Sequence, residues 1–167
     1  MHISVISSSP LTTSGPPVLS DKYNLDFASP KGPNPPVDEY SVRTFPEDVP
    51  KFLENPTVQR KLASAKRLVD VKAADYDAVF YIGGHGPVLD LPQDPANIKL
   101  ASEFWRAGKL TTAVCHGPAA LVNVTDARGH SIFRGRRATA FADEEEELMD
   151  AVKVGQLRKC CDSLCMC

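Results

Sequence analysis

Apolar residues along this chain fall into short runs set apart by proline, glycine and polar turns. His2 to Ile6 is a β-like run, broken by Ser7-Ser8-Ser9-Pro10 and then Gly15-Pro16-Pro17. Leu25-Asp26-Phe27-Ala28 alternates as a strand does, and Ser29-Pro30-Lys31-Gly32-Pro33 ends it. Residues 29–44 read as a proline-rich loop. Val49 to Leu53 suits a short helix, and Thr57 is placed to cap a longer one reaching Leu68. Beyond the turn residues Ala74-Asp75, the run Ala78-Val79-Phe80-Tyr81-Ile82 has the pattern of a buried strand and stops at Gly83-Gly84-His85-Gly86. Pro95 opens a helix to Arg106. Leu110 to Val114 is the next strand, Pro118 to Val122 a helix, Ala138 to Phe141 a further strand and Glu144 to Val152 a helix.

Strands alternating with helices predict an α/β domain with a mainly parallel sheet. In such sheets reactive residues collect at the carboxyl ends of the strands. Two segments lie there, Gly83 to Gly86 after one strand and Cys115-His116 after the next. The chain divides into an atypical segment 1–22, a domain 23–154 and a cysteine-rich tail 155–167 read as disordered.

Ala113-Val114-Cys115-His116-Gly117-Pro118 places a cysteine between an apolar run and a helix start, the outline of a nucleophile elbow. A helix N-terminus favours the thiolate. His116, next in the chain, is a candidate proton carrier, provided a sharp bend turns both side chains into one pocket. Gly83, Gly84 and Gly86 suit a loop whose backbone closely approaches a ligand and whose N–H groups stabilise an oxyanion, with His85 as a substrate contact. One carboxylate of the run Asp143 to Glu147 can orient the histidine as a third member; spacing alone does not choose which.

Composition narrows the setting. The chain has 167 residues and a formal net charge of −2, which argues against nucleic acid as the main partner. No stretch reaches the roughly 18 apolar residues of a membrane helix, and the N-terminus lacks a signal peptide's pattern. A reducing cytoplasm is expected, with the nucleus as a further compartment. Cys115 stands apart from Cys160, Cys161, Cys165 and Cys167, whose spacing fits neither zinc pairs nor a prenylation box. Neither a metal nor a cofactor is expected.

The Cys115 segment, with Tyr81-Ile82-Gly83-Gly84-His85-Gly86-Pro87-Val88-Leu89-Asp90-Leu91-Pro92, resembles the ThiJ/PfpI superfamily, and within it the glutathione-independent glyoxalase (glyoxalase III, D-lactate dehydratase) branch. Phe27 to Gly32, Asp75 to Phe80 and Thr139-Ala140-Phe141 before the acidic run fit the same branch. The resemblance implies a flavodoxin-like α/β sandwich, incomplete here at both ends, and a homodimer. It implies conversion of methylglyoxal or glyoxal without glutathione, through a cysteine hemithioacetal. It places the catalytic residues at Cys115, His116 and Glu146, and the oxyanion and substrate loop at Gly83, Gly84, His85 and Gly86. It also implies a glutamate on a helix after the first strand. The first glutamate here is Glu39, past the second predicted strand, so weak or no turnover is expected. The alternatives are a redox-sensitive holding chaperone and an inactive splice or gene-model product. A class I amidotransferase would place its histidine far downstream, where only His130 lies, in Gly129-His130-Ser131.

Overall fold

The computed structural model describes residues 2–6, 22–37 and 39–140. Among the described residues five strands form one parallel sheet: β1 (His2–Ile6), β2 (Asn24–Ser29), β3 (Lys66–Arg67), β4 (Ala78–Tyr81) and β5 (Leu110–Ala113). Their order is β3-β2-β1-β4-β5. β1 runs beside β2 from His2 opposite Asn24 to Ile6 opposite Ala28, and beside β4 from Ile3 opposite Ala78 to Ile6 opposite Tyr81. A run set apart by composition is therefore the central strand. From β1 the chain builds outward through β2 and β3, then lays β4 and β5 on the other side. That reversal is the switch point beside which open α/β sheets carry their sites.

Side-chain alternation along β4 divides the core in two. Val79 and Tyr81 face one layer, with Leu91, Leu100, Ala101, Phe104, Ala120 and Val124. Ala78 and Ile82 face the other, with Leu25, Phe27, Phe52 and Val58. Helices α1 (Glu39–Thr44), α2 (Asp48–Glu54), α3 (Pro56–Ala63), α4 (Gly86–Leu89) and α5 (Pro95–Arg106) connect the strands. α2 and α3 supply Phe52 and Val58 to the second layer, and α5 supplies Leu100, Ala101 and Phe104 to the first. α5 has the expected bounds because Asp94 caps it, its carboxylate accepting from the N–H groups of Ala96 (2.7 Å) and Asn97 (2.9 Å).

Four segments differ from expectation. The loop 29–44 contains α1, whose residues Glu39–Thr44 include no proline or glycine and carry Glu39 in the first turn and Arg43 in the last, matching the helix dipole. α3 is capped by Asn55, not Thr57; the Asn55 Oδ1 accepts from the N–H of Thr57 at 2.9 Å. It ends at Ala63, because Lys66 is drawn into the sheet, its Nζ donating to Asp26 Oδ2 and Tyr76 Oη, each at 2.7 Å. After Cys115 the chain forms a five-residue 3₁₀ turn, Gly117–Leu121, in place of an α-helix. All five residues are buried, and the N–H groups of Ala119 and Val122 reach back only three residues, to His116 and Ala119. Residues 138–140 form no strand among the described residues; the preceding turn is held by Arg136 lying 5.1 Å from the Trp105 ring centroid. Phe141, the 144–152 helix, the acidic run with Glu146 and the cysteine tail lie outside the described residues.

Candidate active site

β4 and β5 end side by side, Tyr81 opposite Ala113, and the Val114 N–H continues the ladder to the Tyr81 carbonyl at 3.1 Å. The chain then reverses. The Gly117 N–H donates to the Val114 carbonyl at 2.8 Å, closing a four-residue turn with Cys115 and His116 at its corner. Cys115 has φ +57° and His116 has φ −82°, the sign pattern of a type II′ turn, whose first corner position favours glycine. Among the described residues only Asn34 shares a positive φ without being glycine, and asparagine tolerates that region. A cysteine there is strained by about 1–3 kcal/mol, the kind of outlier that clusters at active sites.

Two glycines make the bend possible by lacking a side chain. A Cβ on Gly117 would stand 2.6 Å from the Tyr81 carbonyl oxygen, so only glycine lets the returning chain press against β4. A Cβ on Gly83 would stand 2.6 Å from the Cβ of Cys115 and 3.2 Å from its Sγ. Gly83, from the first candidate loop, thus forms a wall of the cysteine's seat.

The bend turns both neighbouring side chains the same way. Cys115 Sγ lies 3.2 Å from His116 Nδ1, within hydrogen-bonding reach for sulfur. His116 is buried and Cys115 partly exposed. The His85 ring lies 5.0 Å from the His116 ring, tilted by 47°. Cys115, His116, His85 and Gly83 therefore form one cluster across the ends of two adjacent strands. Glu146 lies outside the described residues, so the third member has no position here. The dipole expected behind the thiol is that of a five-residue 3₁₀ turn, shorter than a helix would provide. Among the described residues no group of three histidine, cysteine or acidic side chains is placed to hold a metal ion. A groove of about 260 Å³ between Leu68, Val69 and α5 is lined by none of the cluster's residues.

Sequence reasoning missed Asn97. It is fully buried, accepts a hydrogen bond from Tyr81 Oη at 2.7 Å, and donates to the carbonyls of Leu91 and Ala120, both at 2.8 Å. Burial, then the nearby Asp94 carboxylate, holds the Tyr81 hydroxyl well above the ordinary tyrosine range. The available signal was an amide at the first position of the apolar stripe Asn97, Leu100, Ala101, Phe104.

Residues 56–160 match the DJ-1/PfpI family. The chain belongs to that family. It is 35% identical over 91 residues to the probable glutathione-independent glyoxalase hsp3104 of Schizosaccharomyces pombe, covering 54% of this chain and 41% of that protein. It is 34% identical over 100 residues to Glyoxalase 3 of Candida albicans, covering 58% of this chain and 42% of that protein. This chain spans about two fifths of the length of these curated relatives. The crystal structure of glyoxalase III from Candida albicans superposes with a TM-score of 0.77 at 26% identity, covering 98% of this chain and 80% of that one. Together these make the parallel α/β architecture that of the DJ-1/PfpI fold, with glutathione-independent glyoxalases among its relatives. No helix among the described residues is long and apolar enough to cross a membrane.

Proposed function

We propose that the chain converts methylglyoxal and water to D-lactate without glutathione, with Cys115 as the nucleophile. The observation that carries this reading is the strained Cys115, with its Sγ 3.2 Å from His116 Nδ1. His116 accepts the thiol proton, and the thiolate adds to the aldehyde carbon, forming a C–S bond and an alkoxide. Proton transfer to that alkoxide gives the hemithioacetal. Loss of the C1 proton and protonation of the ketone oxygen give an enediol; reprotonation at C2, with loss of the C1 hydroxyl proton, gives a lactoyl thioester on Cys115. The aldehyde carbon is thereby oxidised and the ketone carbon reduced, so no external oxidant enters. Water then cleaves the C–S bond, releasing lactate and the thiol.

The same imidazole carries the proton between carbons, a role typically worth 10²–10⁴-fold. The Gly84 N–H, which donates to no described residue, is the nearby loop's candidate oxyanion donor. The His85 ring, tilted 47° to that of His116, is the candidate substrate contact beside the thiol. Turnover below that of the Candida albicans glyoxalase III is part of the reading, since Glu39 sits on α1 beyond β2 rather than on a helix that follows β1.

The test incubates the full chain with methylglyoxal in the absence of glutathione and measures lactate with dehydrogenases specific for each enantiomer. D-lactate that disappears in Cys115→Ser supports the proposal. Lactate unaffected by Cys115→Ser, or its absence under conditions where the relative turns over, sinks it.

A further inference from the structure

Outside the reactive cluster, Asn97 is a fully buried polar side chain with three hydrogen bonds. An amide buried in an apolar stripe is costly unless satisfied. Here the Oδ1 accepts from Tyr81, and both Nδ2 protons are donated, to Leu91 and to Ala120. The three partners belong to three different parts of the site's frame. Tyr81 ends β4, two residues before Gly83. Leu91 follows α4, which begins directly after His85. Ala120 lies in the 3₁₀ turn that follows Cys115 and His116. α5 itself is anchored at that end by the Asp94 cap, which bonds the Asn97 N–H.

We propose that Asn97 is a positioning residue for the reactive pair. It ties the segment after Cys115 to the segment after His85, and so sets how the thiol, the His116 ring and the His85 ring meet. The inference rests on the reading of Cys115 as the nucleophile. A φ of +57° at Cys115 persists only where the surroundings over-determine it. The turn from Gly117 to Leu121 has only three-residue hydrogen bonds of its own, so the tie to Ala120 adds a directional restraint to the burial of Ala120 and Leu121 against β4. Tyr81 meets only the Oδ1 side of the amide, leaving the two loop ties to the Nδ2 side.

This asymmetry provides the test. Asn97→Leu, Asn97→Ala and Tyr81→Phe are made in the full chain. Each is followed by thermal melting, by the iodoacetamide alkylation rate of Cys115 across pH, and by kcat and KM for lactate formation. The titratable side chains that the described contacts place near the thiol are His116 and, with its ring 5.0 Å from that of His116, His85. The Asn97 variants are expected to shift the alkylation profile and to lose roughly ten- to hundredfold in kcat with KM nearly unchanged, as for a small misplacement of reacting groups. Tyr81→Phe keeps both loop ties, and is expected to melt earlier with a much smaller change in either readout. If Asn97→Leu does not fold, Asn97→Ala, measured below its melting point, carries the comparison. Alkylation profiles of folded Asn97 variants that superimpose on the unmodified protein overturn the proposal, whatever the fall in melting temperature. A shifted profile in a protein that makes no lactate keeps Asn97 as a positioning residue and removes the glyoxalase reading instead.

Discussion

Gly83 and Cys115 meet backbone to side chain, at a distance where a single added methyl group would stand 2.6 Å from the Cys115 Cβ. Two loops from different strands are therefore fitted to one another across the reactive sulfur. Gly83→Ala must displace either the cysteine or the loop. The expected result is a loss of about 1–3 kcal/mol of stability, the usual cost of overpacking, together with at least roughly tenfold slower lactate formation. Urea unfolding and the lactate assay check both. A Gly83→Ala protein equal to the parent in each would mean that the bend has slack.

The backbone at Cys115 sets a second expectation. Alanine keeps a Cβ and hence the strain; glycine removes both. Cys115→Gly is expected to be more stable than Cys115→Ala by about 1 kcal/mol, although both lack the thiol. Melting temperatures of the two variants decide it. Equal values would mean that the positive φ carries no strain.

Much of this was legible in the chain. The strand Ala78–Tyr81, the helix Pro95–Arg106 and the bend at Cys115 each rest on a local signal: a continuous apolar run, a proline at a helix start, an apolar run meeting Gly-Pro. The illegible parts depend on partners far away in sequence. Lys66-Arg67 reads as the end of a helix, and is a strand here through its pairing with Ala28 and Ser29, with Asp26, 40 residues earlier, accepting from Lys66. His2 to Ile6 reads as a marginal run, and is central because β2 and β4 both pair with it. In the site, Cys115, His116, His85 and the glycines stood out by type and spacing. Asn97 did not, since its three bonds reach the carbonyl of Leu91, the carbonyl of Ala120 and the hydroxyl of Tyr81, which no motif marks.

Asp94 is a cap with two duties. Its carboxylate satisfies two free N–H groups of α5, one of them that of Asn97. Asp94→Ala is expected to cost about 1 kcal/mol in urea unfolding. Asp94→Asn, which keeps the accepting oxygen, is expected to recover most of it.

Each limb of the pH–stability curve has identifiable contributors. The hydrogen bonds from Lys66 to Asp26 and Tyr76 hold the lysine well above its ordinary value of 10.5. Its contribution is complete at neutral pH and is lost as the pH rises past 10.5 toward the folded value. Asp70 and Asp126 lie below the ordinary 3.8, the first through Arg67, the second through the backbone N–H groups of His130 and Arg128. Their contributions are present above 3.8 and are lost as the pH falls through their folded values. Lys66→Met is expected to flatten the alkaline limb and leave the acid limb in place, as followed by melting between about pH 2 and pH 12. An unchanged alkaline limb would assign that loss to other groups.

The direction of β1 has a practical consequence. All five strands run the same way, so His2 enters the sheet at the end opposite to the one where Cys115 sits. Five residues of strand put about 16 Å between those ends. An affinity tag or fluorescent reporter joined ahead of His2 would emerge away from the reactive sulfur, and the protein could be immobilised by that end with the thiol still open to reagents. Clipping the same residues off would have the opposite effect, parting β2 from β4 and dividing the sheet through its middle.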